Sequence, residues 1–379
     1  MSTPVTENIE ALRLQVRDFL ADELASGSYV PRCDAWLAGW DEDFSRRLAD
    51  RGWVGMTLPE QYGGHDRSTL ERYAVTEELL AAGAPVAAHW FSDRQIGPSL
   101  LRHGTEAQRQ RFLPSIASGE CFFGIGMSEP DSGSDLASVR TRGTPVPGGW
   151  LVSGTKVWTS GAHKAHFFFV LARTTPWVEG ESRHAGLSQF IIALDDPGVS
   201  VRPILLLTGE HHFNEVVLTD VFVPDEMVLG QIGDGWLQVT SELAFERSGP
   251  ERFLSTYPLL AALVAAVAAH PRGRGRQELG VLLSRLWVLR QMSLDIAASL
   301  SAGIAQEVPA AVVKDLGTSF EVAVVAAATL LLDIEPDLDG DDGLARLLAE
   351  AALHAPGFTI RGGTSEILRG LIARGVGVR

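Results

Sequence analysis

The sequence has few cysteines, which limits the covalent and metal chemistry that it can hold. Only two of its 379 residues are cysteine, Cys33 and Cys121, and they are far apart in the chain. This spacing forms no metal-binding or redox motif and no disulfide framework. Because disulfides persist in oxidising compartments and are rare in the cytoplasm, we expect a cytoplasmic protein.

The sequence also lacks an excess of positive charge and long apolar runs. It has 47 Asp and Glu against 32 Lys and Arg, a net charge of −15, so we expect no non-specific binding to nucleic acid. The apolar run Leu259–Ala269 is too short to span a bilayer, and no basic region followed by an apolar run opens the sequence. We therefore expect neither membrane binding nor a secretory signal.

Three successive patterns divide the chain. Residues 1–120 have apolar residues at helical spacing, residues 121–232 have short β-rich runs separated by Gly, Pro and Asp turns, and helical spacing returns after residue 233. A strand block between two helical blocks suggests a separate domain. We predict an α+β multidomain protein with an N-terminal helical domain (1–120), a middle β-barrel or sandwich domain (121–232) and a C-terminal helical bundle (233–379).

Several elements can be located more closely. Thr105-Glu106-Ala107-Gln108 is a capping-box pattern that opens a helix, and the apolar run Phe167–Leu171 predicts a strand covered on both faces. A predicted helix over Leu279–Ile304 should bury Leu283, Leu286, Leu289 and Met292. The acidic segment Asp333–Gly343 lacks the spacing of an EF-hand, so we predict a solvated loop and no metal site. The predicted strands are Trp150–Ser153, Phe167–Ala172, Leu187–Leu194, Val199–Ile204 and Asn214–Val223.

Two loops carry most of the polar chemistry. They are Met127–Asp135 and Lys156–Ala162, and the turn Pro147-Gly148-Gly149 lies between them. Gly and Ser let a ligand approach the main chain, and hydroxyl groups can pair with the oxygen and nitrogen atoms of a cofactor. Trp158 adds a flat face for stacking. Taken alone, the same residues also suit two ordinary β-turns with a core tryptophan.

These loops resemble the flavin-binding middle domain of the acyl-CoA dehydrogenase family. The family motif runs approximately Ser/Thr-Glu-Pro-x-x-Gly-Ser-Asp, followed by Gly-x-Lys-x-Trp, and both halves are present here in that order. The resemblance covers nearly the whole chain. Other segments similar to the family are Pro59–Gly64, His212–Val216, Val223-Pro224 and Gly362–Ile367.

The resemblance implies FAD as the cofactor and an acyl-CoA thioester as the substrate, which is oxidised between the α and β carbons. Because coenzyme A is anionic, its site must be locally basic in this acidic protein. By motif, Ser134 would lie near the thioester or the coenzyme, and Arg247 could face it. The cofactor contacts carried over are Met127, Ser128, Ser134, Trp158, Thr159 and Ser160, with Arg276, Thr364 and Glu366 further along the chain.

The position of the catalytic base departs from the commonest family pattern. Many members have Tyr-Glu-Gly-Thr where this sequence has Arg361-Gly362-Gly363-Thr364, so Gly362 offers only its backbone N–H to the thioester oxygen. Another branch takes the base from a Leu-x-x-Glu-Arg helix, which matches Leu243–Arg247. We predict Glu246 as the base that removes the α-proton, while hydride goes to N5 of FAD. A surface Glu-Arg pair is the plain alternative. Reserve candidates for the base are Glu251 and Glu366, although Glu366 also suits the start of a final helix.

The segments that bind FAD across a subunit interface also depart from the family pattern. In homotetrameric members a neighbouring subunit contacts FAD through Arg-x-x-Phe-Gly and Gln-x-x-Gly-Gly segments. Here the first is reduced to Arg276–Gly280 and the second is absent. A similar loss is seen in members that form α2β2 complexes with a related subunit, some of which act on steroid side chains or dicarboxylic acyl chains. We expect a homo-oligomer or such a heterotetramer, and an electron-transferring flavoprotein as electron acceptor.

Several functions remain open at this point. The chain could be a non-catalytic or half-site subunit of a heteromer, a flavin oxidase or N-hydroxylase on the same fold, or a dehydrogenase of acyl groups on a carrier protein. The length and shape of the acyl group do not follow from the sequence.

Overall fold

The computed structural model describes residues 4–269, 275–304 and 306–378, except for the side chains of residues 4–7 and 242–246. The first part of the chain is helical. Capping boxes open two of its helices, Ser68 with Glu71 and Thr105 with Gln108, and the second confirms the sequence prediction. The helices are α1 (Pro4–Ala25), α2 (Ala35–Ala38), α3 (Glu42–Asp50), α4 (Thr69–Ala81), α5 (Ala87–Phe91), α6 (Gly97–His103) and α7 (Glu106–Ala117).

The middle of the chain forms one mixed sheet. Its strand order is β6–β7–β3–β2–β4–β5–β8, with β1 paired to β4. Strands β1 and β2 run parallel to β4, and the other pairs are antiparallel. All five predicted strands are present as β3 to β7. The bounds are β1 (Phe123–Gly126), β2 (Arg142–Val146), β3 (Gly149–Ser160), β4 (Phe167–Arg173), β5 (Leu187–Ala193), β6 (Val199–Leu205), β7 (His211–Pro224) and β8 (Val228–Leu229).

Strand β4 lies at the centre of the apolar core of this region. Every residue from 168 to 172 is 0% exposed, so both faces of the strand are covered, as predicted from its continuous apolar run. Helix α7 contributes Phe112, whose ring meets that of Phe167 edge-on at 5.2 Å. The sheet therefore gives the loops at its strand ends a rigid base.

The last part of the chain is helical again. Its helices are α8 (Gly235–Glu246), α9 (Tyr257–Ala269), α10 (Gly275–Ser301), α11 (Glu307–Leu331), α12 (Gly343–Phe358) and α13 (Ser365–Gly375). These elements confirm the α+β fold and the helical C-terminal region. None of the helices within the described ranges is both long and apolar enough to cross a membrane.

The predicted buried face of α10 is partly wrong. Leu289 is buried, but Leu283 is 44% exposed, and the face that packs inward carries Leu279, Leu282, Leu289, Ser293 and Ile296. The reason is that α10 also carries apolar residues on its outer side, including Trp287 at 63% exposure. The apolar periodicity of this helix therefore does not identify a single core face.

The chain forms two compact units, and each is described by itself. The helical unit comprises Met1–Gly39, Arg67–Val86 and Ala244–Arg379, and the strand unit comprises Trp40–Asp66 and Ala87–Leu243. In the helical unit α1 packs on α4, and α10 packs on α4 and α11. The boundaries 1–120, 121–232 and 233–379 of the three-part division stay a prediction.

Candidate active site

In the strand unit, the two polar loops of the sequence motif are bonded directly to each other. The backbone N–H of Val157 donates to the carbonyl oxygen of Ser128 at 2.9 Å. The Lys156 ammonium reaches across the same junction and donates to the Met127 carbonyl at 3.1 Å and to Glu129 Oε1 at 2.9 Å. The fold thus brings both halves of the motif into one structure.

Glu129 and Lys156 form a buried ion pair, which we call the motif clamp. Lys156 is 0% exposed and Glu129 is 8% exposed. The carboxylate also accepts the backbone N–H groups of Arg140 at 2.6 Å and Thr141 at 2.8 Å. Burial works against its charge, but Lys156 and these hydrogen bonds hold the pKa of Glu129 below its ordinary value. Burial lowers the pKa of Lys156 to about 8, against the attraction of Glu129. Both groups are therefore charged at neutral pH.

Sequence reasoning did not assign a role to either member of the motif clamp. Both residues are letters of the family motif, but 27 positions separate them, and only the folded sheet brings them together. The signal that could have identified them is chemical. A Lys and a Glu, each flanked by small and apolar residues, must find partners once they are buried.

Trp158 stands out of strand β3 at a β-bulge. The register between β3 and β7 shifts between Lys156 and Thr159, and Trp158 has φ +63°. A bulky residue in this region is strained by about 1–3 kcal/mol, and such strain concentrates at functional sites. Its side chain is 56% exposed, and its ring meets Phe213 edge-on at 5.7 Å. The bulge therefore exposes a flat aromatic surface.

The neighbours of Trp158 alternate in burial. Ser160 is half-buried, whereas Thr159 is 0% exposed and its carbonyl accepts the Asn214 side-chain amide at 2.9 Å. Strand alternation turns Thr159 inward, and its buried Oγ1 atom has no hydrogen-bond partner among the described residues. Its cofactor contact stays a prediction. On the first loop, Met127 and Ser128 are half-buried.

Ser134 lies exposed in a compact turn of the first loop. Ser132 Oγ donates to the carbonyl of Asp135 at 2.9 Å, which closes the turn, and the Asp135 carboxylate pairs with Arg183 at 2.7 Å. Arg173 donates to the carbonyl of Ala137 at 2.9 Å, just beyond the turn. The charges of Arg183 and Asp135 cancel each other, so Arg173 supplies the positive charge beside this turn.

In the helical unit, a glycine turn occupies the position where many family members have the base. Gly362 and Gly363 have φ of +67° and +97°, a region that favours glycine, and they link α12 to α13. Thr364 caps α13 by accepting the N–H of Ile367. The buried Lys314 ammonium donates to the Gly363 carbonyl at 2.5 Å. Sequence reasoning missed this lysine, which lies 49 residues away.

The remaining candidates lie in or beside helices. Glu246 ends α8, and its side chain lies outside the described residues. Arg247 is 6% exposed, and Glu251 is 2% exposed in the short turn that follows. Glu366 is exposed in the first turn of α13, and its own backbone N–H and Thr364 lower its pKa, as suits a helix start. Arg276 is exposed near the start of α10.

Comparison with known proteins identifies the class. Family models match the acyl-CoA dehydrogenase N-terminal domain over residues 6–120 and the middle domain over residues 124–221. Acyl-CoA dehydrogenase IpdE1 of Mycobacterium tuberculosis is 36% identical over 98% of this chain and 97% of its own length. Acyl-CoA dehydrogenase FadE29 of the same organism is 34% identical over 86% of each chain.

Solved structures agree with these relatives. The Tcur3481–Tcur3483 steroid ACAD has a TM-score of 0.88 at 27% identity, with 100% of this chain and 99% of that chain covered. The ChsE4–ChsE5 complex from Mycobacterium tuberculosis has a TM-score of 0.83 at 26% identity, with the same coverage. The fold and the site therefore define a flavoprotein oxidoreductase. The chain belongs to the acyl-CoA dehydrogenase family.

Membership of the family implies a flavin cofactor, and the strand unit fits one. Trp158 is held exposed at a strained φ beside the half-buried Ser128 and Ser160. Hydroxyl groups and an aromatic face are the groups that a flat ring with polar edges requires. The buried motif clamp joins the two loops that carry these residues.

Proposed function

We propose that the protein catalyses the FAD-dependent α,β-dehydrogenation of an acyl-CoA thioester to the trans-2-enoyl-CoA. The observation that carries this proposal is the motif clamp, because it joins the two flavin-motif loops and leaves Trp158 projecting from them. Bound FAD supplies the hydride acceptor at N5. The proposed cofactor contacts are Met127, Ser128, Ser134, Trp158, Thr159 and Ser160, with Arg276, Thr364 and Glu366 from the helical unit.

We assign the remaining chemistry to residues near the end of α8 and to the glycine turn. Glu246 removes the α-proton, and the Gly362 backbone N–H donates to the thioester oxygen, which stabilises the charge that develops there. Ser134 and Arg247 bind the coenzyme A portion. The positive charge of Arg173, which donates to the Ala137 carbonyl just beyond the Ser134 turn, supports an anionic ligand at that end.

The relatives support a proposal for the substrate class and the assembly. Because the solved steroid ACAD is similar over the whole chain, we propose a bulky, steroid-derived acyl group and a heterotetramer with a related subunit. The outer face of α10 supports a partner, since Val281, Trp287 and Val288 are 53%, 63% and 54% exposed there. We propose an electron-transferring flavoprotein as the acceptor. The two buried free thiols suit a cytoplasmic location.

The test is an anaerobic titration of the purified flavoprotein with acyl-CoA thioesters, followed by loss of the visible flavin absorbance. Glu246→Gln should abolish this loss while the flavin content stays unchanged. Glu251→Gln, which alters the other nearby carboxylate, should retain it. If the two variants behave in the opposite way, Glu251 is the base. If both retain full rates, neither residue is the base and the proposed mechanism is wrong.

A flavin count per chain tests the assembly. About one flavin per chain in the isolated protein would contradict the shared half-site. Little flavin alone, recovered on co-expression with a related subunit at about one per two chains, would support it. Rapid oxidation of the reduced flavin by oxygen would favour an oxidase or N-hydroxylase instead.

A further inference from the structure

The residue before the glycine turn is held by a buried polar group. Arg361 directly precedes Gly362, and its Nη1 atom donates to Asp34 Oδ2 at 2.5 Å. Its Nη2 atom donates to Ser255 Oγ at 3.2 Å. The guanidinium carbon lies 4.7 Å from the ring centre of Trp36 and 5.0 Å from that of Phe358. The side chain therefore has one position, fixed by charge, hydrogen bonds and two aromatic faces.

Asp34 is itself fixed by its backbone. It is 2% exposed, has φ +58°, and its N–H donates to the Ser255 carbonyl at 2.7 Å. Its Oδ2 atom also lies 3.2 Å from His354 Nδ1. Burial alone would raise the pKa of Asp34, but Arg361 and His354 bring it well below its usual range. Asp34 is therefore an ionised, immobile acceptor for Arg361.

Hydrogen bonds through Ser255 link Asp34 and Arg361 to helix α11. The N–H of Ser255 donates to Glu321 Oε1 at 2.8 Å, and Trp36 Nε1 donates to Ser255 Oγ at 3.0 Å. We call Asp34, Ser255, Glu321 and Arg361 the Arg361 anchor. Lys314 lies on the same helix and contacts the turn through the Gly363 carbonyl.

The Arg361 anchor thus fixes the residue before the two glycines, and Lys314 fixes the carbonyl of the second glycine. Two successive glycines have wide conformational freedom, and nothing in their own side chains fixes the direction of the Gly362 N–H. A hydrogen-bond donor in an active site must point at the atom where charge develops, and a displacement of about 1 Å can cost about 100-fold in rate.

We propose that Asp34 and Arg361 are positioning residues that orient the Gly362 backbone N–H toward the thioester oxygen of the substrate. This inference rests on the proposed function, which assigns that hydrogen bond to Gly362. Arg361 comes directly before Gly362, which stands where many family members have the base. The Arg361 side chain points away from the turn into the protein. Its role is mechanical and not a direct contact with the substrate.

The test compares the anchor with a matched ion pair elsewhere in the helical unit. Glu77 on α4 is also buried and pairs with Arg13 and with Arg290, at 2.7 Å for the latter. The anchor variants are Asp34→Asn and Arg361→Lys, and Glu77→Gln is the control. Ser255→Ala leaves the Asp34–Arg361 ion pair in place but removes the hydroxyl that accepts from Arg361 Nη2 and Trp36 Nε1 and donates to the Glu251 carbonyl. It serves if the charge variants fold poorly. Amide hydrogen exchange of the peptide 359–366 reports on the turn, and kcat and KM report on its use.

We expect exchange in peptide 359–366 to rise at least about tenfold in Asp34→Asn, with kcat reduced about 10- to 100-fold and KM changed less than about threefold. Arg361→Lys should be intermediate, because lysine keeps the charge but cannot hold Asp34 and Ser255 together. Glu77→Gln should lower thermal stability and leave exchange of this peptide and kcat unchanged.

Unchanged exchange and kcat in the anchor variants would overturn the proposal, as would equal effects in Glu77→Gln. If Asp34→Asn and Arg361→Lys do not fold, unchanged exchange and kcat in Ser255→Ala would overturn the proposal. Failure of the proposed function looks different, because the wild-type flavoprotein would then lose no absorbance with any acyl-CoA thioester.

Discussion

Replacing Glu129 with Gln tests whether the motif clamp holds the two flavin-motif loops together. The substitution keeps the shape of the side chain but removes its negative charge. Lys156 would then remain 0% exposed beside a neutral amide, with the Met127 carbonyl as its other hydrogen-bond partner. The backbone N–H groups of Arg140 and Thr141 would compete for a single acceptor oxygen.

The expected magnitude follows from this geometry. Removing one partner from a buried ion pair costs about 3–5 kcal/mol, because the other charge stays buried without compensation. We expect about 4 kcal/mol here, since two amide hydrogen bonds weaken as well. A factor of ten in an equilibrium constant corresponds to about 1.4 kcal/mol, so flavin affinity should fall at least about tenfold even if most of the loss appears as unfolding.

The assay is urea unfolding followed by tryptophan fluorescence, together with flavin titration of the folded protein. Glu215→Gln is the matched control, because Glu215 pairs with Arg202 at 3.1 Å on the same sheet, with side-chain exposures of 32% and 63%. An exposed pair contributes about 0–1 kcal/mol. If Glu129→Gln matched this control in both its unfolding midpoint and its flavin affinity, the role assigned to the motif clamp would be refuted.

Two other substitutions test conformational strain and buried charge. Trp158→Gly should unfold at a higher urea concentration than Trp158→Ala, which reverses the usual order. The reason is that only glycine avoids about 1 kcal/mol of strain at φ +63°. An alanine variant of equal or greater stability would show that the backbone is not strained there. Burial raises the pKa of Glu321 to about 7 from an ordinary 4.5, although Arg361 opposes this shift. The folded state then binds a proton that the unfolded state releases between these values, so the stability that Glu321 contributes is full below pH 4.5 and lost as pH rises to about 7. Melting temperatures measured from pH 4.5 to 8 should depend less on pH in Glu321→Gln than in the wild type. The same pH dependence in both proteins would contradict the role assigned to Glu321.

The sheet shows how far residue patterns predict this structure. Alternating and continuous apolar runs located β4 to β7 closely. Strand β3 was predicted to end at Ser153 but continues to Ser160, because Gly154 and the bulge at Trp158 interrupt the alternation. The prediction of the buried face of helix α10 was partly wrong for a different reason. Its outer face is apolar too, so periodicity could not separate the face that packs within the chain from one that remains exposed.

In the candidate site, too, some residues could be predicted from the sequence and others could not. Ser128, Trp158 and Gly362 could be predicted as site residues from the motif, because each prediction depends on local sequence alone. The partners that support them could not be found by this route. Asp34 meets Arg361 across 327 positions, and no spacing rule links an aspartate after the first helix to an arginine near the last one.

The division of the chain into interleaved units has a consequence for its synthesis. The helical unit needs residues from both ends of the chain, so Asp34 leaves the ribosome long before Arg361 exists. At about 5–20 residues per second, the 327 intervening positions take roughly 15 to 65 s. During this time helix α4, on which α1 packs, lacks helix α10, its other partner in the finished helical unit. We therefore expect the nascent N-terminal helices to depend on chaperones, while the strand unit, complete by residue 243, can fold first.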